Sequence, residues 1–167
     1  QLPSKFIIVV RKQMNDMTST DSDSFFSINS VSINMSTQNG ILSNMNQQAL
    51  FMMSAKNGYS GSYYDFSGQA NYSSLSASGK VATTGSVLVI NPSLDLSLGS
   101  PQITNNSIGQ FSFQINMSVT NNYSEDVMSE ICIICANSGI ITSSLGESTF
   151  STGLLSESIV MDTIAKG

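Results

Sequence analysis

The stretch that decides the fold class is FSFQINMSV, at residues 111–119. Its apolar side chains alternate strictly with polar ones, which is the pattern of a β-strand with one face in a core and the other in water. A second stretch, KFIIVVR at residues 5–11, is apolar at consecutive positions. Such a run is typical of a strand covered on both faces, so the two stretches together predict a β-sheet protein.

Other segments repeat the strand signal at modest spacing. In residues 25–35 the apolar side chains change phase near Ser30, which predicts a β-bulge at that point. The tripeptide Asn-Ser-Gly at residues 137–139 is predicted to form a hairpin turn, because Asn and Gly adopt positive φ at low cost. Further strands are predicted at residues 86–90, 131–136, 140–142 and 148–154.

One segment departs from the β pattern. Residues 46–56 hold good helix formers without a β-branched residue, begin at the capping residue Asn46 and end at Asn57 and Gly58. They predict one short helix, which is followed by a long Gly-, Ser- and Tyr-rich loop at residues 59–85. Many short strands with one helix in a long loop indicate an all-β protein, either a β-sandwich or a jelly roll.

Length and composition exclude several classes of function. The 167 residues include 33 Ser, 11 Thr and 15 Asn, yet 40% of them are hydrophobic, which is enough to form a core. One domain is therefore expected at residues 1–160, followed by a C-terminal tail at residues 161–167. A net charge of −5 gives no electrostatic footprint for nucleic acid or an anionic membrane. The apolar runs at residues 6–10 and 131–136 are far shorter than the roughly 20 residues of a spanning helix. A start without Met or a signal-peptide layout predicts a processed or excised piece.

The candidates for catalysis and metal binding are few. The chain has no His, which removes the commonest general base and zinc ligand and leaves only carboxylates for acid-base chemistry. Asp16, Asp21 and Asp23 lack the Gly and distal Glu of a calcium loop, and a solvated loop is the preferred interpretation. The same interpretation is preferred for the acidic group Glu125, Asp126 and Glu130. No catalytic residue, cofactor or metal site is predicted, and Asp65 is the acid that a carboxylate-dependent hydrolase would be tested on first.

The two cysteines lie three residues apart in an apolar strand. Because residues three apart on a strand point to opposite faces, Cys132 and Cys135 are expected to be buried free thiols and not a disulfide. Packing is preferred over a CxxC redox or metal motif, which needs a loop or helix N-terminus. Free thiols suggest synthesis in a reducing compartment.

The aromatic residues of the long loop admit two interpretations. Tyr59, Tyr63, Tyr64 and Phe66 form either a stacking platform for a sugar or base, or a packing and subunit contact, and the second is preferred. Tyr63, Tyr64 and Phe66 are the candidate subunit-contact residues.

The chain also has five Asn-x-Ser/Thr sequons, against about four expected by chance from its composition, so they indicate no glycoprotein. They lie at Asn34, Asn71, Asn105, Asn116 and Asn122.

The order of several short motifs resembles a known family. The series begins with LPSKFIIVVR at residues 2–11, DSFFSI at 23–28 and YYDFSG at 63–68, and continues with GSVLVIN at 85–91, DLSL at 95–98, GQFSFQ at 109–114 and STFSTGLL at 148–155. Together these motifs resemble the C-terminal half of the double jelly-roll viral major capsid proteins of virophages, such as mavirus, and of Polinton-like viruses. The resemblance covers nearly the whole chain, although each motif is short.

The resemblance implies a fold and a function. The fold would be the second jelly-roll β-sandwich of a double jelly-roll protein, with its opening strands missing, since the chain is too short for two jelly rolls. The implied function is structural and not enzymatic: a homotrimer forms a pseudo-hexameric capsomer that tiles an icosahedral shell. The implied partners are other copies of the chain, the missing N-terminal jelly roll, neighbouring capsomers and penton or minor capsid proteins, without direct nucleic acid binding or a membrane span. The location would be the virion, assembled inside the host cell.

Two apolar strands of the sequence support the implied contact with other capsid protein. Residues 6–10 and 131–136 are apolar on both faces, whereas a free-standing sandwich alternates apolar and polar residues. We therefore expect the outer faces of both strands to be covered by the missing jelly roll or by a neighbouring subunit. The alternative is a secreted carbohydrate-binding or adhesin-like β-sandwich, which the Ser, Thr and Asn content and the Tyr-rich loop favour.

Overall fold

The strands and helices of the chain follow the apolar patterns of the sequence. The computed structural model describes residues 3–19, 21, 24–35, 38–68, 84–96, 113–123, 126–137, 139–144 and 147–152. The strands described there are β1 (Lys5–Lys12), β2 (Ser27–Met35), β3 (Gln38–Ile41), β4 (Val87–Ile90), β5 (Phe113–Thr120), β6 (Ser129–Ala136), β7 (Gly139–Ser144) and β8 (Glu147–Thr152). The helices are α1 (Gln47–Lys56), α2 (Tyr63–Ser67) and α3 (Pro92–Asp95), and Met14–Asp16 forms a 3₁₀ turn.

The strands pair into three sheets. The first has the order β4-β1-β6, the second β3-β2-β5, and β7 with β8 forms a two-stranded ribbon. β1 and β4 are antiparallel, with Phe6 opposite Ile90 and Ile8 opposite Leu88. β2 is antiparallel to both of its neighbours. Its register against β5 shifts between Ile28 and Ser30, which confirms the predicted bulge.

The described residues fall into two compact units. One comprises those within Phe6–Ile90 and Phe111–Ile134, and the other those within Gln1–Lys5, Asn91–Gln110 and Cys135–Gly167. The predicted single domain at residues 1–160 stays a prediction, and the predicted tail at residues 161–167 lies outside the described residues.

The larger unit is a sandwich of the two three-stranded sheets. Phe6 of β1 stacks on Phe113 of β5 with ring centroids 5.1 Å apart, so the sheets meet face to face. The core is apolar and contains Phe6, Ile8, Val9, Val10, Phe26, Ile28, Val31, Ile33, Met35, Leu50, Met53, Phe66, Leu88, Val89, Ile90 and Tyr123. Buried side chains of this kind supply the main stabilisation of the unit, about 1.5–3 kcal/mol each for the large aliphatic and aromatic ones.

The smaller unit contains α3 and the β7-β8 ribbon. Ser4 donates from its main-chain N and its Oγ to the carbonyl of Ala136, at 2.8 and 2.7 Å. α3 begins at Asn91, whose Oδ1 accepts from the main-chain N of Ser93 at 3.1 Å. Pro92 at its first position needs no hydrogen-bond partner for a main-chain N–H, because proline has none.

The predicted helix is confirmed as α1. Asn46 caps it through a bond from Ala49 N to its Oδ1 at 2.9 Å, as the sequence indicates. The chain leaves the helix at Gly58, whose φ of +110° is left-handed and suits glycine. The sequence did not predict α2 and α3, because five and four residues are too few to show a helical period.

The predicted strands are found with small shifts at their ends, as far as they lie within the described residues. The prediction of a hairpin at residues 137–139 is wrong. β6 pairs with β1 and β7 pairs with β8, so the segment connects strands of different sheets. An Asn-Ser-Gly signal favours a turn, but it does not show which strands become neighbours. Residues 111–112 and 153–154 of the predicted strands lie outside the described residues.

A buried serine joins the two sheets to helix α2. Ser86 Oγ donates to the carbonyl of Phe66 at 2.6 Å and accepts from Ile28 N at 2.8 Å, while Ser86 N donates to the carbonyl of Phe26 at 3.1 Å. The residue before it, Gly85, has φ +72° and lies so close to the main chain of Phe25, which precedes β2, that a Cβ would collide with it. One buried hydroxyl therefore bonds two main-chain groups, one on β2 and one on α2.

The connection from β5 to β6 adds a second polar tie. Asn122 Nδ2 donates to the carbonyl of Phe25 at 2.9 Å and to Ser27 Oγ at 2.8 Å. The buried Tyr123 donates its hydroxyl to the carbonyl of Ser24 at 2.6 Å, and its burial raises the pKa of the phenol. These bonds fix the start of β2 against the end of β5.

The connection from β1 to β2 is held by an aspartate turn. Asp21 Oδ2 accepts from Thr18 N at 3.0 Å and from Thr18 Oγ1 at 2.8 Å, and Lys12 Nζ lies 3.6 Å from the same oxygen. The bonds from Thr18 and the charge of Lys12 lower the pKa of the Asp21 carboxyl. Asp21 is therefore engaged in the turn, whereas Asp16 is exposed and Asp23 lies outside the described residues.

Substitution of the buried serine tests the polar core. Ser86→Ala removes the buried hydroxyl that bonds Ile28 N–H and the Phe66 carbonyl, so we expect the free energy of unfolding to fall by about 2–4 kcal/mol. Denaturant unfolding measures the change. Ser118→Ala, on the exposed face of β5, is the control and should change the free energy by less than about 0.5 kcal/mol. Equal effects of the two substitutions would show that the Ser86 bonds do not contribute to the free energy of unfolding.

Substitution of Thr18 tests the aspartate turn. Thr18→Val removes the Oγ1 donor and keeps the main-chain donor, so the pKa of Asp21 should rise towards the ordinary value of aspartate. A lowered folded-state pKa stabilises the fold above the unfolded-state pKa, and this stabilisation is lost as pH falls through the folded-state value. The variant should therefore lose stability near neutral pH and differ less from the wild type in acid. Carboxyl ¹³C NMR titration measures the pKa, and an unchanged value would contradict the assignment.

Candidate functional site

Five exposed apolar residues, three on the outer strand β6 and two outside it, form what we call the apolar strip. Its members are exposed at 68% for Met14, 71% for Met128, 52% for Ile131, 41% for Ile133 and 52% for Ile134. The main chain just before Met14 is bonded to Met128, because Gln13 N donates to the carbonyl of Met128 at 3.0 Å. Four of these residues lie within seven positions of the sequence, so exposed apolar side chains are concentrated along this edge of the sheet.

The strip begins where the buried core ends. On β1, next to β6, Ile8 is fully buried and Val9 and Val10 are 7% and 2% exposed. The expectation that β1 needs a cover from another protein is therefore wrong, since residues of the same chain cover both of its faces. β6 differs: Ile131 and Ile133 are exposed on one face and Ile134 on the other. The expectation of an uncovered apolar strand is retained for β6 alone.

In the second sheet, the outer strand β5 is likewise less buried than its neighbour β2. Ile28, Val31, Ile33 and Met35 of β2 are at most 3% exposed. Their direct partners on β5 are only half-buried, and they are Val119, Met117, Ile115 and Phe113. Partners directly opposite each other share a face, so the core side of the sheet becomes accessible at β5.

An ion pair lies beside the strip. Arg11 Nη2 is 2.7 Å from Glu130 Oε1, and Arg11 Nε donates to the same oxygen at 2.8 Å. The pair joins β1 to β6 and neutralises the charged side chain of β6. Because both side chains are partly exposed, the bond is worth little stability, and its main effect is to leave the strip without an unpaired charge on β6.

The two cysteines lie on the same strand. Both are free, as expected, but Cys132 is half-buried and Cys135 is exposed. The prediction of two buried thiols is therefore wrong for Cys135. The sequence shows that residues 131–136 are apolar, but burial of an edge strand depends on what lies beyond it, which no local pattern reports.

The aromatic residues after α1 form a cluster that fastens α2 to α1. The Phe51 ring is contacted edge-on by Tyr59, Tyr63 and Phe66, with centroids 6.3, 5.4 and 5.7 Å away. Phe66 is fully buried, Tyr63 is half-buried, and Tyr64 points outwards with 65% of its surface exposed. Of the three candidate contact residues, Tyr64 alone presents most of its ring to the outside.

The acid next to this cluster has a structural partner. Asp65 Oδ2 accepts from Ser62 N at 3.1 Å and from Ser62 Oγ at 2.7 Å, which forms a capping box at the start of α2. Burial, with the charge of Asp65 as a second cause, raises the pKa of the Tyr59 phenol. The candidate acid of the hydrolase alternative is thus a helix cap.

The remaining polar candidates are dispersed. Within the described residues, no group of three Asp, Glu, Cys or His side chains comes together as a metal site requires. Of the second acidic group, Glu130 binds Arg11, Asp126 is exposed, and Glu125 lies outside the described residues. No helix of the described part has the length and hydropathy needed to cross a bilayer.

The described sequons differ in accessibility. Asn116 is exposed on β5, and Asn34 is half-buried on β2. Asn122 uses both hydrogens of its side-chain amide for the bonds to Phe25 and Ser27, so attachment of a glycan there requires the loss of at least one of them. Asn71 and Asn105 lie outside the described residues.

Sequence reasoning found part of this surface. It singled out residues 131–136 as apolar on both faces, but it missed Met14 and Met128. Each lies within five residues of a predicted strand end, beside polar neighbours, and such isolated methionines give no periodic signal.

Comparison with known proteins identifies a relative of the chain. A Sputnik virophage protein described as capsid protein V20 is 27% identical over 158 residues, which cover 92% of this chain and 26% of that protein. The chain therefore spans about a quarter of the length of this relative.

Two solved structures share the fold. The crystal structure of the mavirus major capsid protein matches with a TM-score of 0.75 at 20% identity, and the Sputnik virophage structure determined by cryo-EM matches with a TM-score of 0.70 at 24% identity. Each match covers 96% of this chain and 34% of the solved chain. The match to about a third of these double jelly-roll proteins confirms the predicted jelly-roll class.

The family described as "Major capsid protein V20 C-terminal domain" matches residues 1–139, more than four-fifths of the sequence. The chain therefore belongs to the family of the C-terminal domain of the major capsid protein V20.

Proposed function

We propose that this chain is a structural, non-enzymatic part of a viral shell, the C-terminal jelly roll of a major capsid protein. Three copies of the capsid polypeptide form a pseudo-hexameric capsomer, and capsomers tile an icosahedral capsid. Family membership supports the role, and the apolar strip on β6 is the observation in the molecule that carries it.

The strip supports assembly on physical grounds. Monomeric proteins rarely expose contiguous apolar patches of this kind, and obligate interfaces resemble a core cut in half. Half-exposed isoleucines gain roughly 1 kcal/mol each when a partner completes their burial, at about 25 cal/mol per Å² of apolar surface. Ile131, Ile133 and Ile134 lie on the two faces of one strand, so a partner covers β6 from both sides. The proposed partner is the N-terminal jelly roll of the capsid polypeptide or a neighbouring subunit.

The charge distribution supports a position in the shell and not on the genome. The chain carries a net charge of −5, and Arg11 and Lys12 are engaged by Glu130 and Asp21. A surface of this kind repels nucleic acid backbones. We therefore place the protein in the virion shell, in contact with copies of itself, neighbouring capsomers and penton or minor capsid proteins.

The aromatic residues extend the proposal to a second contact. We assign Tyr64 to a subunit interface, with Tyr63 and Phe66 as the packed residues that hold α2 in place beneath it. Tyr64 is exposed, whereas Phe66 is buried against Phe51 and Tyr59. A rigidly supported tyrosine is a favourable anchor, because it loses little side-chain entropy on binding.

The carboxylates support the absence of catalysis. Asp65 caps α2, Glu130 binds Arg11, and Asp21 closes the turn after β1. Each of these acids has a structural partner, so no free pair remains among them for acid-base chemistry. We also retain the proposal of one jelly-roll domain at residues 1–160 with a tail at residues 161–167.

Substitution of the strip tests its role in assembly. The double variant Ile131→Thr and Ile134→Thr keeps β-branching and removes apolar surface, so we expect the full-length capsid polypeptide to form capsomers with at least about ten-fold lower affinity. Size-exclusion chromatography with light scattering measures the oligomer. Leu94→Thr, which alters an exposed apolar residue outside the strip, is the control and should leave assembly unchanged. Unaffected assembly of the double variant would contradict the proposed interface.

Substitution of the exposed tyrosine tests the second contact. Tyr64→Ala should weaken the capsomer by about ten-fold or more, as the loss of an interface anchor does, while Tyr64→Phe should retain assembly because it keeps the ring. The free energy of unfolding of the isolated chain should change by less than about 0.5 kcal/mol in both variants. Capsomers of normal stability in the alanine variant would remove Tyr64 from the interface.

A further inference from the structure

Two side chains of helix α1 bond the main chain of β4 on the side away from β1. Val89 N donates to Ser54 Oγ at 3.1 Å, and the carbonyl of Val89 accepts from Asn57 Nδ2 at 2.9 Å. Successive residues of an antiparallel strand bond to alternate sides, so these two groups of Val89 point away from its partner Ile7 on β1. A further strand could pair with β4 here only through the groups that α1 already occupies.

The two side chains reproduce the bonding of a neighbouring strand. In a hydrogen-bonded pair of an antiparallel ladder, each residue receives one acceptor and one donor from its partner. Ser54 provides the acceptor, because its own hydroxyl hydrogen is donated to the carbonyl of Leu50 at 2.9 Å. Asn57 provides the donor. Ser54, Asn57 and Val89 are at most 7% exposed, so water does not compete for these bonds.

Helix α1 is also anchored away from β4. In its first turn, Gln47 Nε2 donates to the carbonyl of Ile28 on β2 at 3.3 Å. Leu50 and Met53 of the helix are buried in the core. The helix therefore contacts both three-stranded sheets, and its packing holds Ser54 and Asn57 against β4.

The sequence of β4 favours pairing with other chains. Residues 87–90 read VLVI, and no charged residue occurs between Lys80 and Asp95. Short segments with high β-propensity and without charge or proline pair readily when the main-chain groups of an edge are accessible. Pro92 follows only after the strand has ended. β4 thus has no protective residue of its own, and the bonds from α1 supply the protection.

We propose that Ser54 and Asn57 form an edge lock, which keeps residues 87–90 from pairing with the same strand of a second copy of the chain. The edge lock lies within residues 1–167 and goes beyond the proposed function, which places the subunit contacts at β6 and Tyr64. An edge closed in this way limits the side of the sheet from which copies associate, and so suppresses a wrong contact.

Removal of the edge lock tests the inference. In the full-length polypeptide, Ser54→Ala combined with Asn57→Ala should raise amide exchange at Val89 at least about ten-fold, because α1 then leaves β4 more often. Aggregation should be at least about ten-fold faster and should depend on protein concentration. Hydrogen-exchange mass spectrometry and light scattering measure the two effects. Ser54→Ala alone, which removes only the acceptor, gives the same comparison with a smaller loss of stability.

The matched control is Asn122→Ala. It also removes two side-chain bonds, those to Phe25 and Ser27, but it lies outside α1 and β4. At temperatures equally far below the Tm of each variant, it should change exchange at Val89 and aggregation by less than about three-fold. Equal aggregation of the two variants overturns the proposal, because general loss of stability would then be the cause. Faster exchange at Val89 without faster aggregation overturns it as well.

A charge on β4 separates edge pairing from other routes to aggregation. Val87 is half-buried at the start of β4, so Val87→Lys gives this edge a charge. Added to the variant without the edge lock, it should return aggregation to within about three-fold of the wild-type rate, since lysine on an edge strand opposes pairing. Val119→Lys, at a half-buried position of β5, is the control and should not slow aggregation. Aggregation that stays fast with Val87→Lys overturns the proposal.

Discussion

The burial of β1 is the constraint on which the rest of the structure depends. A strand that is apolar on both faces is stable only if it has a strand on either side and cover above and below. The chain supplies β4 and β6 as neighbours and Phe113 of the opposite sheet as part of the cover, so β1 becomes the centre of its sheet. The strand next to it on one side must then be an edge. Because β6 has an apolar sequence of its own, the exposed strip is a direct consequence of the way β1 is buried.

The sequence predicted the local features and missed the pairings. Alternation in residues 113–119 and the phase change near Ser30 were sufficient for β5 and for the bulge in β2, because both are properties of one strand. Asn46 was sufficient for the start of α1. The hairpin after β6 was predicted wrongly, and the cover on β1 was assigned to another protein, because both depend on neighbours that come from distant parts of the chain. The candidate surface was therefore predicted for two strands and found on one.

Several of the few charged side chains hold structural elements together. Asp65 and Asp21 close a helix cap and a turn, and Glu130 joins two strands through Arg11. Buried serine and asparagine side chains connect different elements, as Ser86 does for α2 and β2 through Phe66 and Ile28. Each bond is worth about 1 kcal/mol net, but the loss of a partner inside the core costs more, so these polar groups fix the geometry more than they add stability.

The combination of a precisely held core and an unfinished edge has a physical cost that assembly can offset. An exposed apolar edge strand invites non-specific pairing, and natural sheets protect such edges with charges, prolines or bulges. β6 has only Glu130, which is already paired with Arg11, and no proline. A protein that functions alone gains nothing from an unprotected edge of this kind. One whose polypeptide or neighbours cover the edge gains stability there by burying the side chains of Ile131, Ile133 and Ile134. Within the described part of the chain, the apolar sequence of β6 with its single paired charge is thus in keeping with the proposed place of this strand at a contact in the capsid.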